Sequence, residues 1–309
     1  HLRVHSEFSV VDGIVRIPDL IKRVAKLGQP AVALTDLSNL FGLIKFYKGA
    51  RGAGVKPIAG ADVWLTNDED PAKPFRVLLL VRNHQGYLNL CELLSRSFLP
   101  NQGKGRAEIR REWLQGQEGL IVLSGGRGGD VGQALDADNA VSALALARQW
   151  ALMFPGSYYI ELQRAGMDGD EAYTQAAMRL AAEAGLPVVA THPVQFLDEY
   201  EFQAHEARVC IAEGEILANP RRVRRFTKEQ YLLSSEEMAR RFADVPSALA
   251  NTVEIAKRCN LSLVLGKPRL PNFPTPDGVT LDDYLVQLSE EGLETVSYTH
   301  LTLPTIYSV

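Results

Sequence analysis

Short runs of aliphatic and β-branched residues alternate along this chain with longer stretches whose apolar positions recur every three or four residues. The short runs predict strands over 2–5, 31–35, 58–65, 76–81, 120–123, 158–162 and 188–190. Between them lie helical patterns. Over 17–27, Ile17, Leu20, Ile21, Val24 and Leu27 fall on one face. The stretch 40–47 follows Ser38 and Asn39, either of which can cap a helix. Further helices are predicted over 85–98, 140–153 and 170–185, the last closed by Gly185 with Pro187 just beyond. After Phe196 the pattern turns helical throughout, over 199–212, 235–242 and 247–259, with Ser234 and Glu237 spaced as a capping box.

Strands separated by helices imply parallel pairing with right-handed crossovers. Seven such units in one stretch of chain match a closed (β/α) barrel in size, with an open doubly wound sheet as the alternative. Either architecture gathers its chemistry at the C-terminal ends of the strands. Here those ends carry His5, Thr35–Asp36, Glu161 and Thr191–His192. A proline-rich stretch over 267–276 reads as a domain boundary, and a new helix is predicted over 281–294. Residues 296–309 abruptly lose charge and helical period and read as foreign to the fold.

Composition narrows this only a little. Of 309 residues, 46% are hydrophobic and 23% charged, ordinary for a globular protein. The net charge of −4 argues against a polycation that coats DNA. No apolar run approaches the roughly 20 residues of a membrane helix, so no membrane contact is expected. The chain opens on a strand-like segment rather than a signal peptide and lacks an initiator Met, which reads as a fragment beginning late. Cys91, Cys210 and Cys259 are far apart and read as buried free thiols of a reducing cytoplasm.

The candidate chemistry starts in the first thirteen residues. His1, Arg3 and His5 share one strand face, with Asp12 in the loop that follows. A histidine at position 3 would complete a His-x-His metal clip, but the residue is arginine. The glycine-rich stretch 124–130 fits neither G-x-G-x-x-G nor the P-loop spacing and reads as a flexible loop. His192 reads as a polar loop residue. Arg221, Arg222, Arg224 and Arg225, interleaved with Val223 and Phe226 and followed by Lys228, form the densest basic patch, a candidate contact for nucleic acid or an acidic partner. Lys104, Arg106, Arg110 and Arg111 form a second. No Ser/His/Asp set, Cys/His set or closely spaced aspartate triad is readable.

Several strings then add up: residues 1–13, 33–42 (Ala-Leu-Thr-Asp-Leu-Ser-Asn-Leu-Phe-Gly), 56–62, 86–90, 119–125 and 248–258. In this order and spacing, over about 1–294, they resemble the N-terminal PHP (polymerase and histidinol phosphatase) domain of the bacterial DNA polymerase III alpha subunit. The resemblance implies a distorted (β/α)7 barrel with C-terminal helices, a PHP domain over 1–270 and the start of a polymerase palm over 271–294. Intact members hold a metal cluster with nine side chains for phosphoester hydrolysis. Those positions fall here on Arg3, His5, Asp12, Leu37, Asp62, Arg76, Gly126, Pro193 and Gln195. Only His5, Asp12 and Asp62 keep a metal-ligating side chain. Arginine cannot ligate metal, so Arg3 and Arg76 are expected to occupy the former metal space and pair with Asp12 and Asp62; the plainer reading of His5 and Asp12 is a hydrogen-bonded pair in the strand-loop turn. The resemblance thus implies a degenerate domain without cofactor in this fragment, in a parent polymerase that uses Mg²⁺. Its implied partners are a proofreading exonuclease (epsilon) subunit, other holoenzyme subunits and, through the parent, DNA. The alternative is a PHP phosphoesterase with residual metal on His5, Asp12 and Asp62.

Overall fold

In the computed structural model, residues 1–99, 106–268 and 273–301 are described, with side chains to residue 296. The strands are β1 (Arg3–Val4), β2 (Ala31–Leu34), β3 (Lys56–Leu65), β4 (Phe75–Val81), β5 (Glu108–Ile109), β6 (Leu120–Leu123), β7 (Tyr158–Gln163), β8 (Val188–Thr191) and β9 (Pro193–Val194). The helices are α1 (Ile17–Lys26), α2 (Leu43–Gly52), α3 (His84–Ser97), α4 (Asp130–Asp136), α5 (Ala140–Met153), α6 (Asp170–Ala184), α7 (Phe202–Glu213), α8 (Ser235–Arg241), α9 (Pro246–Arg258) and α10 (Leu281–Leu301).

The strands close into a distorted barrel. Its main sheet runs β2-β3-β4-β6-β7-β8, with β5 added beside β3. β1 closes the ring: it pairs with β9 in parallel and is tied to β2 by Ala33 N–H to His1 C=O and Thr35 N–H to Val4 C=O. The expectation of parallel pairing throughout fails at β4, which is antiparallel to both neighbours. Its physical reason is the linker: residues 66–74 are too few for a crossover helix, so the chain can only turn back. This reversal matters for the site, because it brings the first residues of β4 to the end of the barrel where the other strands finish.

Alternation along the strands sorts two cores. Ala33, Ile58, Leu78, Leu80, Ile121, Leu123, Tyr159 and Val189 fill the barrel with Leu2, and Ile255 of α9 and Cys259 just after it plug its N-terminal end. The opposite faces pack outward against the helices in a larger cluster. α1 shows how the sequence dictates this. Ile17, Leu20, Ile21 and Val24 form its buried stripe, Pro18 sits in its first turn, and Arg23 and Lys26 lie in its last. Each such buried side chain contributes about 1.5–3 kcal/mol. Asn83 caps α3 by accepting from Gly86 N–H, at 3.0 Å. A Cβ on Gly86 would lie 1.9 Å from the Gly119 carbonyl, so only glycine lets this helix seat on the chain entering β6.

The chain divides into a unit over 1–263 and another over 264–309. In the second, α10 starts with Thr280 accepting from Asp283 N–H and runs beyond Glu294 to Leu301, so the helical pattern continues past the predicted stop.

Candidate functional site

The first loop is built around Asp36 at the end of β2. Its buried carboxylate accepts from Ser6 N–H at 2.6 Å and from the hydroxyls of Ser6 and Ser9 at 2.9 Å. Gly13 closes the turn, since a Cβ there would stand 2.0 Å from Ser6 C=O. Ser6 and Ser9 are thus part of how the chain places Asp12. The Asp12 carbonyl in turn accepts from His205 Nε2 on α7 at 2.9 Å.

Asp12 does not pair with an arginine. Its carboxylate meets His5 Nδ1 at 2.9 Å, and His5 Nε2 meets Asp62 at 3.2 Å. Burial pushes the His5 pKa down, but Asp12 and then Asp62 outweigh it and bring it up to about 9. The ring is therefore an imidazolium at neutral pH, donating from both nitrogens. Burial likewise works against the Asp12 carboxylate, and His5 overcomes it, holding Asp12 below its ordinary range.

Asp62 sits at the centre. On β3 it follows Ile58 and Gly60 on the inward face, and it is fully buried. It pairs with Arg3 from β1 and Arg76 from β4, and Arg76 Nε reaches its second oxygen at 3.1 Å. Burial would raise the Asp62 pKa; Arg3, Arg76 and His5 together hold it far below the usual carboxylate range. The Arg76 guanidinium also lies over the Trp64 ring, 4.4 Å from its centre, opposite its cross-strand partner in register.

Glu161 completes the cluster, and it was not among the nine positions. It points inward from β7 on the face of Tyr159 and is wholly buried. Arg3 grips it with a two-pronged contact, Nε at 3.0 Å and Nη2 at 2.9 Å. Gly125 N–H, Gln163 Nε2 and the Thr191 hydroxyl supply the rest of its bonds. Burial opposes the charge on Arg3, but Asp62 and Glu161 more than offset it and raise its pKa. The sequence marked it as a strand-end carboxylate, but not as the partner of Arg3.

Arg3, Asp12, Leu37, Asp62, Arg76, Pro193 and Gln195 line one cleft of about 650 Å3, with Gly125 beside Gly126 at its edge. The positions read from the sequence are thus brought together. The glycine-rich stretch is not loose: residues 126–128 form a single helical turn leading into α4. His192 is also not a surface residue. It is buried, donates to Tyr231 C=O, and burial pushes its pKa down to about 3.

A metal cluster does not fit this donor set. Two guanidinium groups stand against the central carboxylate, and both His5 nitrogens are committed as donors. Among the described residues, no three His, Cys, Asp or Glu side chains are arranged to hold a metal ion.

The basic segment after α7 is largely neutralised. Arg222 forms a buried pair with Glu206, Arg225 pairs with Glu213 at 3.3 Å, and Lys228 with Glu199 at 3.0 Å. Arg221 and Arg224 remain exposed. In the second patch, Arg106 pairs with Glu108 and Arg111 with Asp130; Lys104 lies outside the described residues.

Compared with known families, residues 1–165 match the PHP domain. The chain belongs to the PHP family. Curated relatives of this PHP chain are DNA polymerase III subunits alpha: one from Pseudomonas fluorescens is 51% identical over 296 residues, and one from Escherichia coli K12 is 47% identical over 295. Each alignment covers 95% of this chain and 25% of the relative, so the chain spans about a quarter of their length. Among solved structures, an amidohydrolase from Chromobacterium violaceum aligns at 14% identity and a TM-score of 0.43, over 67% of this chain and 95% of that one.

Proposed function

We infer that this chain is the N-terminal part of a replicative DNA polymerase alpha subunit, whose PHP barrel acts as a rigid scaffold and not as a metal-dependent phosphoesterase. The observation that carries the reading is the buried cluster of Arg3, Asp62, Arg76 and Glu161 in the cleft where the metal ligands fall. Fixed cations there do the charge compensation that metal ions do in an intact site. They cannot activate a water, because a guanidinium has neither an open coordination position nor a proton to exchange at neutral pH.

In this reading the barrel supports the polymerase portion and presents a docking surface to the proofreading exonuclease (epsilon) subunit, among the other holoenzyme subunits. DNA synthesis, and its Mg²⁺, belong to the parent enzyme in the bacterial cytoplasm. Residues after 270 begin the palm. Among the described residues no helix is long and apolar enough to cross a membrane.

Pull-down with the purified exonuclease subunit tests the docking role. Association at micromolar concentration is expected, and its absence would sink that part of the reading.

A further inference from the structure

The arginine-filled cleft uses its positive charge internally, and so does most of the basic segment beside α7. At the opposite end of the barrel the balance differs. Arg51 ends α2, Lys56 opens β3, Arg82 follows β4 and Arg258 ends α9. All four are held by neutral acceptors. Arg51 donates to the Tyr47 hydroxyl at 2.7 Å. Lys56 Nζ donates to Ala256 C=O at 2.7 Å and to Asn260 Oδ1 at 2.8 Å. Arg258 donates to the Tyr159 hydroxyl at 2.6 Å and to Gly156 C=O at 2.9 Å, and it shares the Ser157 hydroxyl with Arg82. Glu254, one turn before Arg258, is taken by Lys257 at 2.7 Å.

Three of these cations meet at one turn. Asn260 N–H donates to Arg82 C=O at 2.7 Å while its side chain accepts from Lys56. The charges of Lys56, Arg82 and Arg258 oppose the upward push of burial on the nearby Cys259 thiol. The C-terminus of α9 accounts for some of this charge, but a helix end carries only about half a negative charge. Among the described residues, a surplus of roughly three positive charges here forms no ion pair.

The surplus borders two hollows. Arg51, Lys56 and Asn260 line one of about 410 Å3 that has no carboxylate in its wall. Arg82 lines a neighbour of about 590 Å3 with Asn83, Gln85 and Gln117; its one carboxylate, Glu118, makes no ion pair with Arg82. Cations spread over two hollows suit a ligand with repeated negative charge better than a single phosphate. Side-chain amides and hydroxyls beside guanidinium groups are the usual donors to phosphodiester oxygens.

We propose that this end of the barrel, opposite the arginine-filled cleft, binds the phosphate backbone of DNA without sequence preference. The inference does not depend on the scaffold reading, because it uses different residues at the other end of the fold.

The test is fluorescence anisotropy of a labelled mixed-sequence DNA 30-mer, single- and double-stranded, titrated with the purified chain at several salt concentrations. The variant Arg51→Gln/Arg82→Gln leaves Lys56 and Arg258 to hold the end of α9, and circular dichroism checks its fold. Removing two phosphate contacts should weaken binding about tenfold at low salt. It should also flatten the slope of log K against log salt by about 1.5. Arg221→Gln/Arg224→Gln at the other end should leave both quantities unchanged. No binding by the native chain, or loss through Arg221 and Arg224 instead, would overturn the proposal. So would displacement by poly-glutamate as effective as by unlabelled DNA, which would point to an acidic polypeptide.

Discussion

Replacing Arg3 with methionine removes a cation of similar length and leaves two carboxylates buried behind it. Asp62 keeps Arg76 and His5. Glu161 keeps only neutral donors, the Gly125 N–H, Gln163 and Thr191. The cost therefore falls chiefly on Glu161, which has no exposed surface through which water could solvate it. Removing one partner of a buried ion pair costs about 3–5 kcal/mol, mostly as the penalty for the stranded charge. Urea unfolding should show that loss as a lower midpoint with an unchanged slope. A further readout separates this from simple loss of packing. Adding Glu161→Gln to Arg3→Met should recover much of the stability, since the amide needs no cation. A deficit below about 1 kcal/mol in Arg3→Met, or a double variant no more stable than the single, would refute the reasoning.

His5 gives a pH signature of its own. Its folded pKa lies near 9 against an ordinary 6.5, so its contribution is complete below pH 6.5 and is lost as pH rises through 9. Between those values stability should fall by about 1.4 kcal/mol per pH unit from this group, and Asp12→Asn should flatten that fall. Arg222→Met strands Glu206 and should cost about 3–5 kcal/mol, with faster tryptic cleavage at Arg221, Arg224 and Arg225 as the segment loosens. Gly86→Ala forces a Cβ into the Gly119 carbonyl and should destabilise the fold by about 1–3 kcal/mol in urea unfolding.

The barrel was legible in the sequence because its strands are short apolar runs and its helices carry clean stripes. The predicted strand at 120–123 and helix at 140–153 match β6 and α5 at both ends. The reversed direction of β4 was not legible from hydrophobicity, which is blind to strand sense; only the short linker over 66–74 signalled it. α4 was missed because seven residues hold too few turns to show a period and it lacks the capping box that marked α8 at the same length. In the cleft, Arg3 and Arg76 were expected beside Asp62 only through the resemblance to the PHP family, which puts all three at metal-ligand positions. The pairing of Asp12 with His5 was readable as a hydrogen-bonded pair of the strand-loop turn; the bend by Asp36 and Gly13 that sets its geometry was not. Glu161 was read as strand-end chemistry but not joined to this cluster: its partner Arg3 is 158 residues away, and only barrel closure brings them together.

The central claim is that arginines have replaced metal in this cleft. Metal analysis of the chain after equilibration with Zn²⁺ and Mn²⁺ and removal of free ions, paired with a phosphomonoester hydrolysis assay, tests it most directly. The arrangement around Asp62 predicts substoichiometric metal and no hydrolysis above background. One or more equivalents of bound metal, lost together with hydrolytic activity in Asp62→Asn, would contradict it.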